Sequence, residues 1–556
     1  MKLSHVKYFT PLLTLCILGY LFIEWSYIQT LPLIMDEFQG GAQVYQLSQG
    51  IPFVDFLPYK TIFGYYLQLP ALLLPGTYWD KLLYIKYEMA LLNAIGLFLG
   101  CQWLVRRFHP LPILMALCSV ICMSNFLERS IALRVDMITV WLGFASFIAL
   151  IEKRLTWAGV LVSLSFLTSQ KGAYFVLASG LSLGLEWLIQ DRTKQRLIDL
   201  FRFCLSALTP LVCYLALFGL MSTVSFVSRE TFVVSQSIAL ADLYSEVRQY
   251  WVQSYDRNQY FYWLSSVSLL LLVIRTTRQS WRSPSSILIT SYLTIFISLC
   301  AWHKQPWPYF IIFIIPSALY ALSEGLDHFY RILPRYLTVT LTLAILYGCC
   351  YLPLSSRYPI VHKRDSSQQK VTVNIAEQLL KTYPSSGYIA GVNILPHMLQ
   401  PKKLSWLDRK QLTRIKHADV TPIIDQLKKD PPQFIIRNYR TQSLPKKIVS
   451  HIRWFYYWSY ANIEMYCPMI PKGTRIMTPA FNGHYRLKLF ADKQIKEVLI
   501  DGQKVQARTL VELKKAPIKI QTKSTFRLCL EPKALRPKLD TRYARLRPFF
   551  PSPYGY

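Results

Sequence analysis

The chain has 556 residues, of which 52% are hydrophobic, and a formal net charge of +31. Its mean hydropathy of +0.25 is too high for one soluble fold, whereas its charge is too high for a protein that lies in a membrane throughout. Residues 355–556 hold 37 Lys and Arg against 13 Asp and Glu, so the composition changes near Leu354. We therefore predict a membrane domain over residues 1–354 and a soluble domain over residues 355–556.

A strongly basic soluble domain is typical of nucleic-acid binding, but the sequence carries no nucleic-acid motif. Because the basic domain is tethered to a membrane, anionic lipid headgroups or an anionic glycolipid are simpler partners, and we expect no nucleic acid. The sequence also lacks the G-x-G-x-x-G and P-loop patterns of nucleotide binding and the H-E-x-x-H and C-x-x-C patterns of zinc sites.

The cysteines divide between the two domains. Nine of the eleven lie in or beside apolar stretches, where a thiol behaves as a small hydrophobic group. Cys467 and Cys529 are the two in the soluble domain. They could form a disulfide if that domain lies outside the cytoplasm.

About eleven apolar stretches are candidate membrane helices. They cover approximately residues 9–28, 83–105, 111–127, 136–151, 155–168, 173–189, 203–222, 260–274, 285–301, 309–323 and 336–354. The loops between them that share a side with the N-terminus are basic, which is typical of cytoplasmic loops. We therefore expect a multi-pass protein, of a bacterial inner membrane, with a cytoplasmic N-terminus and a periplasmic soluble domain.

The soluble domain shows both kinds of periodicity. Residues 371–383 and 421–429 have helical patterns, and Gln433–Arg437 predict a short buried strand. From about residue 471 apolar and polar residues alternate, and Asp501-Gly502 separates two apolar runs, which is typical of a β-hairpin. We predict an α+β domain that ends in a small antiparallel β unit.

The polar stretch Met35-Asp-Glu-Phe-Gln-Gly-Gly41 follows the first apolar segment. It places Asp36 and Glu37 at the outer membrane–water boundary, where carboxylates are costly unless they have partners or a function. An acidic pair also suits a solvated loop or the first turn of a helix. The stretch alone leaves both interpretations open.

Further motifs follow in the outer loops and at outer helix ends: Gly50-Ile-Pro-Phe-Val-Asp-Phe56, Tyr59-Lys-Thr-Ile-Phe-Gly-Tyr-Tyr-Leu67, Leu133-Arg-Val-Asp-Met137, Ser169-Gln-Lys-Gly172 and Trp302–Pro316. Their order resembles that in the GT-C glycosyltransferases, and most closely the subgroup of protein O-mannosyltransferases and lipid A aminoarabinose transferases. Two motifs depart from this pattern. Lys60-Thr61-Ile62 stands where the aminoarabinose transferases have Lys-Pro-Pro, and Gln170-Lys171-Gly172-Ala173 stands where members have Thr-Lys-Gly-Pro.

The resemblance implies a polytopic glycosyltransferase fold and a polyprenyl-phosphate monosaccharide as the donor. The acceptor would be a glycolipid such as lipid A, a glycan or a protein. Asp36 would be the base that takes the acceptor's proton, with Glu37 and Asp136 as further catalytic carboxylates. Positive side chains would hold the departing phosphate: Lys60, Lys171, Arg129, Arg134, His303 and Lys304. Displacement in one step predicts inversion at the anomeric carbon. No metal site is predicted, although Glu37 leaves a divalent cation open.

Simpler explanations stand beside these roles. Arg129 and Arg134 could snorkel at a helix end, Asp136 could form a structural ion pair with one of them, and His303-Lys304 could be an ordinary turn. Two other function classes also fit a polytopic chain. A lipid or solute transporter would show inverted repeats and charge near mid-bilayer, and a non-catalytic relative would bind without turnover.

Overall fold

The computed structural model of the protein describes residues 4–56, 58, 61–189, 193–221, 249–278, 284–303, 307–382, 387–396, 400–401, 403–489, 498–506, 509–531 and 549. The chain forms two compact units. The first comprises Met1–Leu31, Gln43–Pro75 and Lys81–Arg364, and the second Pro32–Ala42, Gly76–Asp80 and Asp365–Tyr556.

The first unit is helical. Its α-helices, two of which begin in the second unit, are Ser4–Thr30, Met35–Gln49, Phe63–Tyr66, Tyr78–Leu104, Pro110–Ile121, Ser124–Arg129, Asp136–Ile151, Leu155–Thr168, Ala173–Ile189, Lys194–Met221, Gln249–Arg257, Gln259–Arg278, Pro284–Ala301, Ile315–Ile332, Arg335–Ile345 and Leu352–His362. Short 3-10 helices cover Leu69–Leu73, Gln170–Gly172 and Ile311–Ile314, and a π-helical segment, Leu346–Tyr351, joins the last two α-helices.

Within the described residues, six helical stretches are long and apolar enough to cross a membrane: Tyr8–Thr30, Tyr78–Leu104, Gln170–Ile189, Lys194–Met221, Gln259–Arg278 and Arg335–His362. Shorter apolar helices cover Pro110–Ile121, Asp136–Ile151, Leu155–Thr168 and Ser286–Ala301. The protein is thus a multi-pass membrane protein, and each predicted span except 111–127 coincides with one stretch of helical structure. The last helix continues to His362, beyond residue 354, where the composition changes.

Two predicted spans end elsewhere than expected. The span at 111–127 is wrong as one helix, because the chain breaks at Met123 and a new helix begins at Ser124. The Asn258 side chain accepts from the Ser124 backbone N–H at 2.9 Å and thereby satisfies a donor that a continuous helix would have used internally. The span at 309–323 extends to Ile332.

A buried ion pair lies at the end of the last helix of this unit. Arg357 donates from Nε to Glu128 Oε1 at 2.7 Å and also contacts that oxygen through Nη2. Both side chains are buried. Arg364 Nη1 lies 3.7 Å from the second carboxylate oxygen. Because a buried carboxylate is stable only with such partners, the pair fastens the last helix to the short helix Ser124–Arg129.

The second unit combines helices and three small sheets. Its helices are Ser367–Thr382, Arg409–His417, Thr421–Lys429, Tyr439–Gln442 and Lys446–Phe455. Its strands are β1 (Tyr388–Ile389), β2 (Phe434–Ile436), β3 (Tyr456–Tyr460), β4 (Ile463–Tyr466), β5 (Met469–Ile470), β6 (Gly473–Met477), β7 (Gly483–Leu489), β8 (Val498–Ile500), β9 (Gln503–Val505), β10 (Leu510–Leu513), β11 (Ile518–Thr522) and β12 (Phe526–Leu530).

The sheets have the orders β1-β2-β4-β3, β10-β7-β12-β5 and β6-β11-β8-β9, and the pairing of β1 with β2 is parallel, whereas every other pairing is antiparallel. The helices predicted at 371–383 and 421–429 are confirmed. The predicted hairpin is also confirmed: Asp501 and Gly502 have φ angles of 47° and 80°, as the turn between two closely paired strands requires.

Cys467 and Cys529 form a disulfide across 62 residues of chain. Cys467 follows β4 and Cys529 lies in β12, so the bond joins the first sheet to the second. Arg527 spans the same junction, because its Nη1 donates to the Cys467 carbonyl at 2.8 Å and its Nη2 to the Arg453 carbonyl at 2.7 Å.

We expect the Cys467→Ser/Cys529→Ser double variant to lose about 4 kcal/mol of unfolding free energy, since a loop of this length gains much freedom when the bond is removed. Thermal unfolding of the detergent-solubilised protein, with and without reductant, measures the loss. The Cys204→Ser/Cys213→Ser variant is the control, because both thiols are free and exposed. A wild-type Tm that does not respond to reductant would contradict the prediction.

Candidate active site

A charged cluster of three side chains lies in the first unit. Asp136 is the first residue of the helix Asp136–Ile151, and its carboxylate is buried. Oδ2 accepts from Arg134 Nε at 2.7 Å and Oδ1 accepts from Lys171 Nζ at 2.6 Å. Two cationic side chains therefore share one carboxylate, and these three side chains together have a formal net charge of about +1.

The ring of Tyr309 lies against both cations of this cluster. The guanidinium carbon of Arg134 is 3.6 Å from the ring centroid, and Lys171 Nζ is 4.6 Å from it. Lys171 also lies 5.8 Å from the ring of Phe310. Aromatic faces attract cations, most strongly where water is excluded. The aromatic residues thus hold the positive charges in place without neutralising them.

His303 belongs to the same group of aromatic side chains. Its ring stacks on Phe310 with centroids 3.9 Å apart, and its Nδ1 is hydrogen-bonded to the Tyr174 hydroxyl at 2.6 Å. Tyr174 follows Lys171 by three residues, at the start of the helix Ala173–Ile189. The motif near residue 303 and the motif at Lys171 therefore meet through Tyr174 and Phe310.

Two glycines explain how the motifs approach one another. A Cβ on Gly64 would lie 2.5 Å from Thr168 and 2.7 Å from Val135. The motif around residue 64 therefore packs directly against the residues that precede Lys171 and flank Arg134. A Cβ on Gly172 would lie 2.5 Å from the backbone of the helix Leu155–Thr168. Only glycine fits such close backbone approaches.

The other predicted phosphate-binding residues are Arg129, Lys60 and Lys304. Arg129 is the last residue of the helix Ser124–Arg129, beside the buried Glu128. Lys60 and Lys304 lie outside the described residues. Sequence analysis did not identify Tyr309 or Tyr174 as site residues. The sequence signal that was available for Tyr309 was its position directly after a polar stretch that ends in Trp307-Pro308.

Asp36 and Glu37 lie in the second unit, in the first turn of the helix Met35–Gln49. Glu37 Oε2 accepts from the Ile34 backbone N–H at 2.8 Å, so one of its oxygens caps the chain just before the helix. Glu37 is buried, whereas Asp36 between its buried neighbours Met35 and Glu37 is partly exposed. The described residues contain no group of three or more His, Cys, Asp or Glu side chains arranged to hold a metal ion.

One stretch has the G-x-S-x-G spacing of serine hydrolases, Gly180-Leu-Ser-Leu-Gly184. It lies inside the helix Ala173–Ile189, and Ser182 Oγ donates to the Ser179 carbonyl at 2.9 Å. A hydrolase nucleophile instead needs a sharp turn between a strand and a helix. This stretch is therefore part of a membrane helix and not a nucleophile turn.

The fold is GT-C-like, the fold of a class of membrane glycosyltransferases. ArnT from Cupriavidus metallidurans in the apo state is similar to this chain with a TM-score of 0.52 and 12% sequence identity, over 82% of this chain and 98% of ArnT. ArnT bound to undecaprenyl phosphate gives a TM-score of 0.49 at 13% identity, over the same shares of the two chains.

The archaeal oligosaccharyltransferase AglB from Archaeoglobus fulgidus, in complex with an inhibitory peptide and a dolichol-phosphate, gives a TM-score of 0.44 at 11% identity, over 82% of this chain and 74% of AglB. The sequence matches no protein-family model and no curated protein. The similarity to ArnT in the apo state confirms the GT-C resemblance at the level of the fold.

Proposed function

We propose that the protein is a membrane glycosyltransferase that moves a monosaccharide from a polyprenyl-phosphate donor to a glycolipid, glycan or protein acceptor. The observation that carries the proposal is the cluster of Arg134, Asp136 and Lys171 on Tyr309, in a chain with a GT-C-like fold. A site of net positive charge, partly shielded from water, suits a lipid-linked phosphate.

In the proposed reaction, an acceptor hydroxyl oxygen forms a bond to the anomeric carbon while the bond to the phosphate oxygen breaks. Asp36 takes the hydroxyl proton, and the polyprenyl phosphate leaves as an anion, so it needs no proton donor. Arg134 and Lys171 stabilise the negative charge that develops on the phosphate. Attack opposite the leaving group inverts the anomeric configuration.

Asp136 has a different proposed role from Asp36. Both of its oxygens accept from cations, so it is better suited to holding Arg134 and Lys171 in position than to taking a proton. We assign Arg129, His303, Lys60 and Lys304 to the surroundings of the phosphate on the resemblance of their motifs. Glu37 is assigned the role of fixing the helix turn that carries Asp36.

The membrane topology is also part of the proposal. The four shorter apolar helices and the helix Ile315–Ile332 would cross the membrane together with the six long ones, for about eleven crossings in total. The basic loops would face the cytoplasm, and the second unit would lie on the outer side, where its disulfide is stable. In a bacterium this is the periplasmic side of the inner membrane.

Transfer by the purified protein tests the proposed function. Polyprenyl-phosphate donors with labelled sugars are offered with a membrane-lipid extract or with protein acceptors. We expect label to move from one class of donor to one class of acceptor, and the product's anomeric configuration to be opposite to the donor's. If no donor gave transfer to any acceptor, the proposed transferase activity would be rejected. Transport of a lipid would then be tested in vesicles.

A further inference from the structure

The backbone of Leu33, three residues before Asp36, is bound by the side chain of Gln369. Gln369 lies in the helix Ser367–Thr382, more than 330 residues later in the sequence. Its Oε1 accepts from the Leu33 backbone N–H at 2.8 Å, and its Nε2 donates to the Leu33 carbonyl at 2.9 Å. One carboxamide thus satisfies both polar groups of a single residue, as a neighbouring strand would.

The same carboxamide also contacts Phe549. Gln369 Nε2 also lies 2.5 Å from the Phe549 carbonyl. The ring of Phe549 is 5.7 Å from that of Phe38, two residues after Asp36. Gln369, Phe38 and Phe549 are all buried, so these contacts are shielded from competition by water.

The cap made by Glu37 completes the fixation of this turn. Its carboxylate accepts from the Ile34 N–H, and its own N–H donates to the Ile34 carbonyl at 3.0 Å. The Leu33 backbone is therefore bound by Gln369, and the Ile34 backbone by Glu37 of the same turn. Of the three residues between Ile34 and Phe38, Met35 and Glu37 are buried, and Asp36 has a partly exposed side chain.

We propose that Gln369 and Phe549 are positioning residues for Asp36. This inference rests on the proposed function, in which Asp36 is the base. These contacts restrict the position of Asp36. This position is important because a displacement of about 1 Å at a reacting group can lower a rate on the order of a hundredfold. The helix Ser367–Thr382 thereby contributes to the chemical step itself, through the hydrogen bonds of Gln369 to the Leu33 backbone.

Kinetics of Gln369→Ala and Phe549→Ala test the inference. We expect kcat to fall on the order of tenfold to a hundredfold while the donor KM stays within about twofold, because neither side chain is assigned to substrate binding. Gln400→Ala is the matched control. Gln400 also bridges backbone groups in the same unit, accepting from the Ala390 N–H at 3.0 Å and donating to the Val392 carbonyl at 2.9 Å.

A double-variant cycle separates positioning from general loss of structure. In an Asp36→Glu background the carboxylate is already displaced, so Gln369→Ala should have a smaller effect than in the wild type. An equal effect in both backgrounds, or a loss equal to that of Gln400→Ala, would overturn the inference. If Gln369→Ala does not accumulate, the same comparison with Phe549→Ala decides.

A measurement that does not depend on turnover distinguishes this inference from the proposed function. In an Asp36→Cys variant, the rate at which a maleimide modifies the introduced thiol is followed by mass spectrometry of its peptide. Gln369→Ala should change this rate several-fold and Gln400→Ala should not. An unchanged rate would overturn the positioning role even in an active enzyme. A changed rate in a protein without transferase activity would reject the proposed function alone.

Discussion

Asp36→Asn is expected to lower kcat on the order of 10²–10⁴-fold, the range that a positioned general base contributes. The asparagine has nearly the same shape, so the turn held by Leu33, Glu37 and Phe38 should be retained. It cannot accept the acceptor's proton. We therefore expect the donor KM to change little, because the phosphate is assigned to side chains other than Asp36. Initial rates over a range of donor concentrations measure both quantities.

Asp80→Asn is the matched control for this variant. Asp80 is also an acidic residue in the first turn of a helix that begins in the second unit, and its Oδ2 accepts from the Thr77 N–H at 3.0 Å. If the two variants retain similar activity, Asp36 is not the base. Asp136→Asn would then be examined as the alternative.

The second large effect is expected when Lys171, one of the two cations bound to Asp136, is replaced. Lys171→Gln leaves Arg134 and Asp136 as a neutral pair, so the cluster loses its net positive charge. We expect kcat/KM for the donor to fall on the order of 10²–10³-fold, as when one group that stabilises a developing anion is removed. Arg134→Gln should have an effect of the same order, because the same net charge is lost.

Lys153→Gln separates this effect from the general cost of breaking an ion pair. Lys153 binds Glu186 at 2.8 Å, at a distance similar to that in the pair of Lys171 with Asp136, but it lies in a loop assigned to the other side of the membrane. Equal losses in Lys171→Gln and Lys153→Gln would show that charge at the cluster is not used for the donor. Binding of unlabelled polyprenyl phosphate as a competitor gives the same comparison without turnover.

The sequence predicted the helices well because long apolar stretches and basic loops carry a strong signal. The helices Asp136–Ile151, Leu155–Thr168 and Ala173–Ile189 have the bounds that were predicted. The break at Met123 was missed, although Ser124 and Asn125 interrupt the apolar stretch there. It depends on Asn258, a partner far away in the sequence.

The site was predicted residue by residue but not as an arrangement. Arg134, Asp136 and Lys171 were each candidates from their motifs, and an ion pair of Asp136 with Arg134 or Arg129 was one of the alternatives considered. The contact of Lys171 with Asp136 was not predicted, because it depends on two segments that meet only in the folded chain. The bond between Gln369 and Leu33 was not predicted, because a glutamine in an amphipathic helix has no distinctive pattern. Such partners are found only from the structure.

The ion pair of Glu128 with Arg357 bears on how the protein is made. Glu128 is synthesised long before Arg357, so during translation it enters the membrane region without the cation that later binds it. An unpaired carboxylate is poorly tolerated there. The helices made first therefore cannot reach their final packing until the last one has been inserted. We therefore expect this packing to be completed only once Arg357 has been made, before the remaining part of the second unit, Asp365–Tyr556, is synthesised.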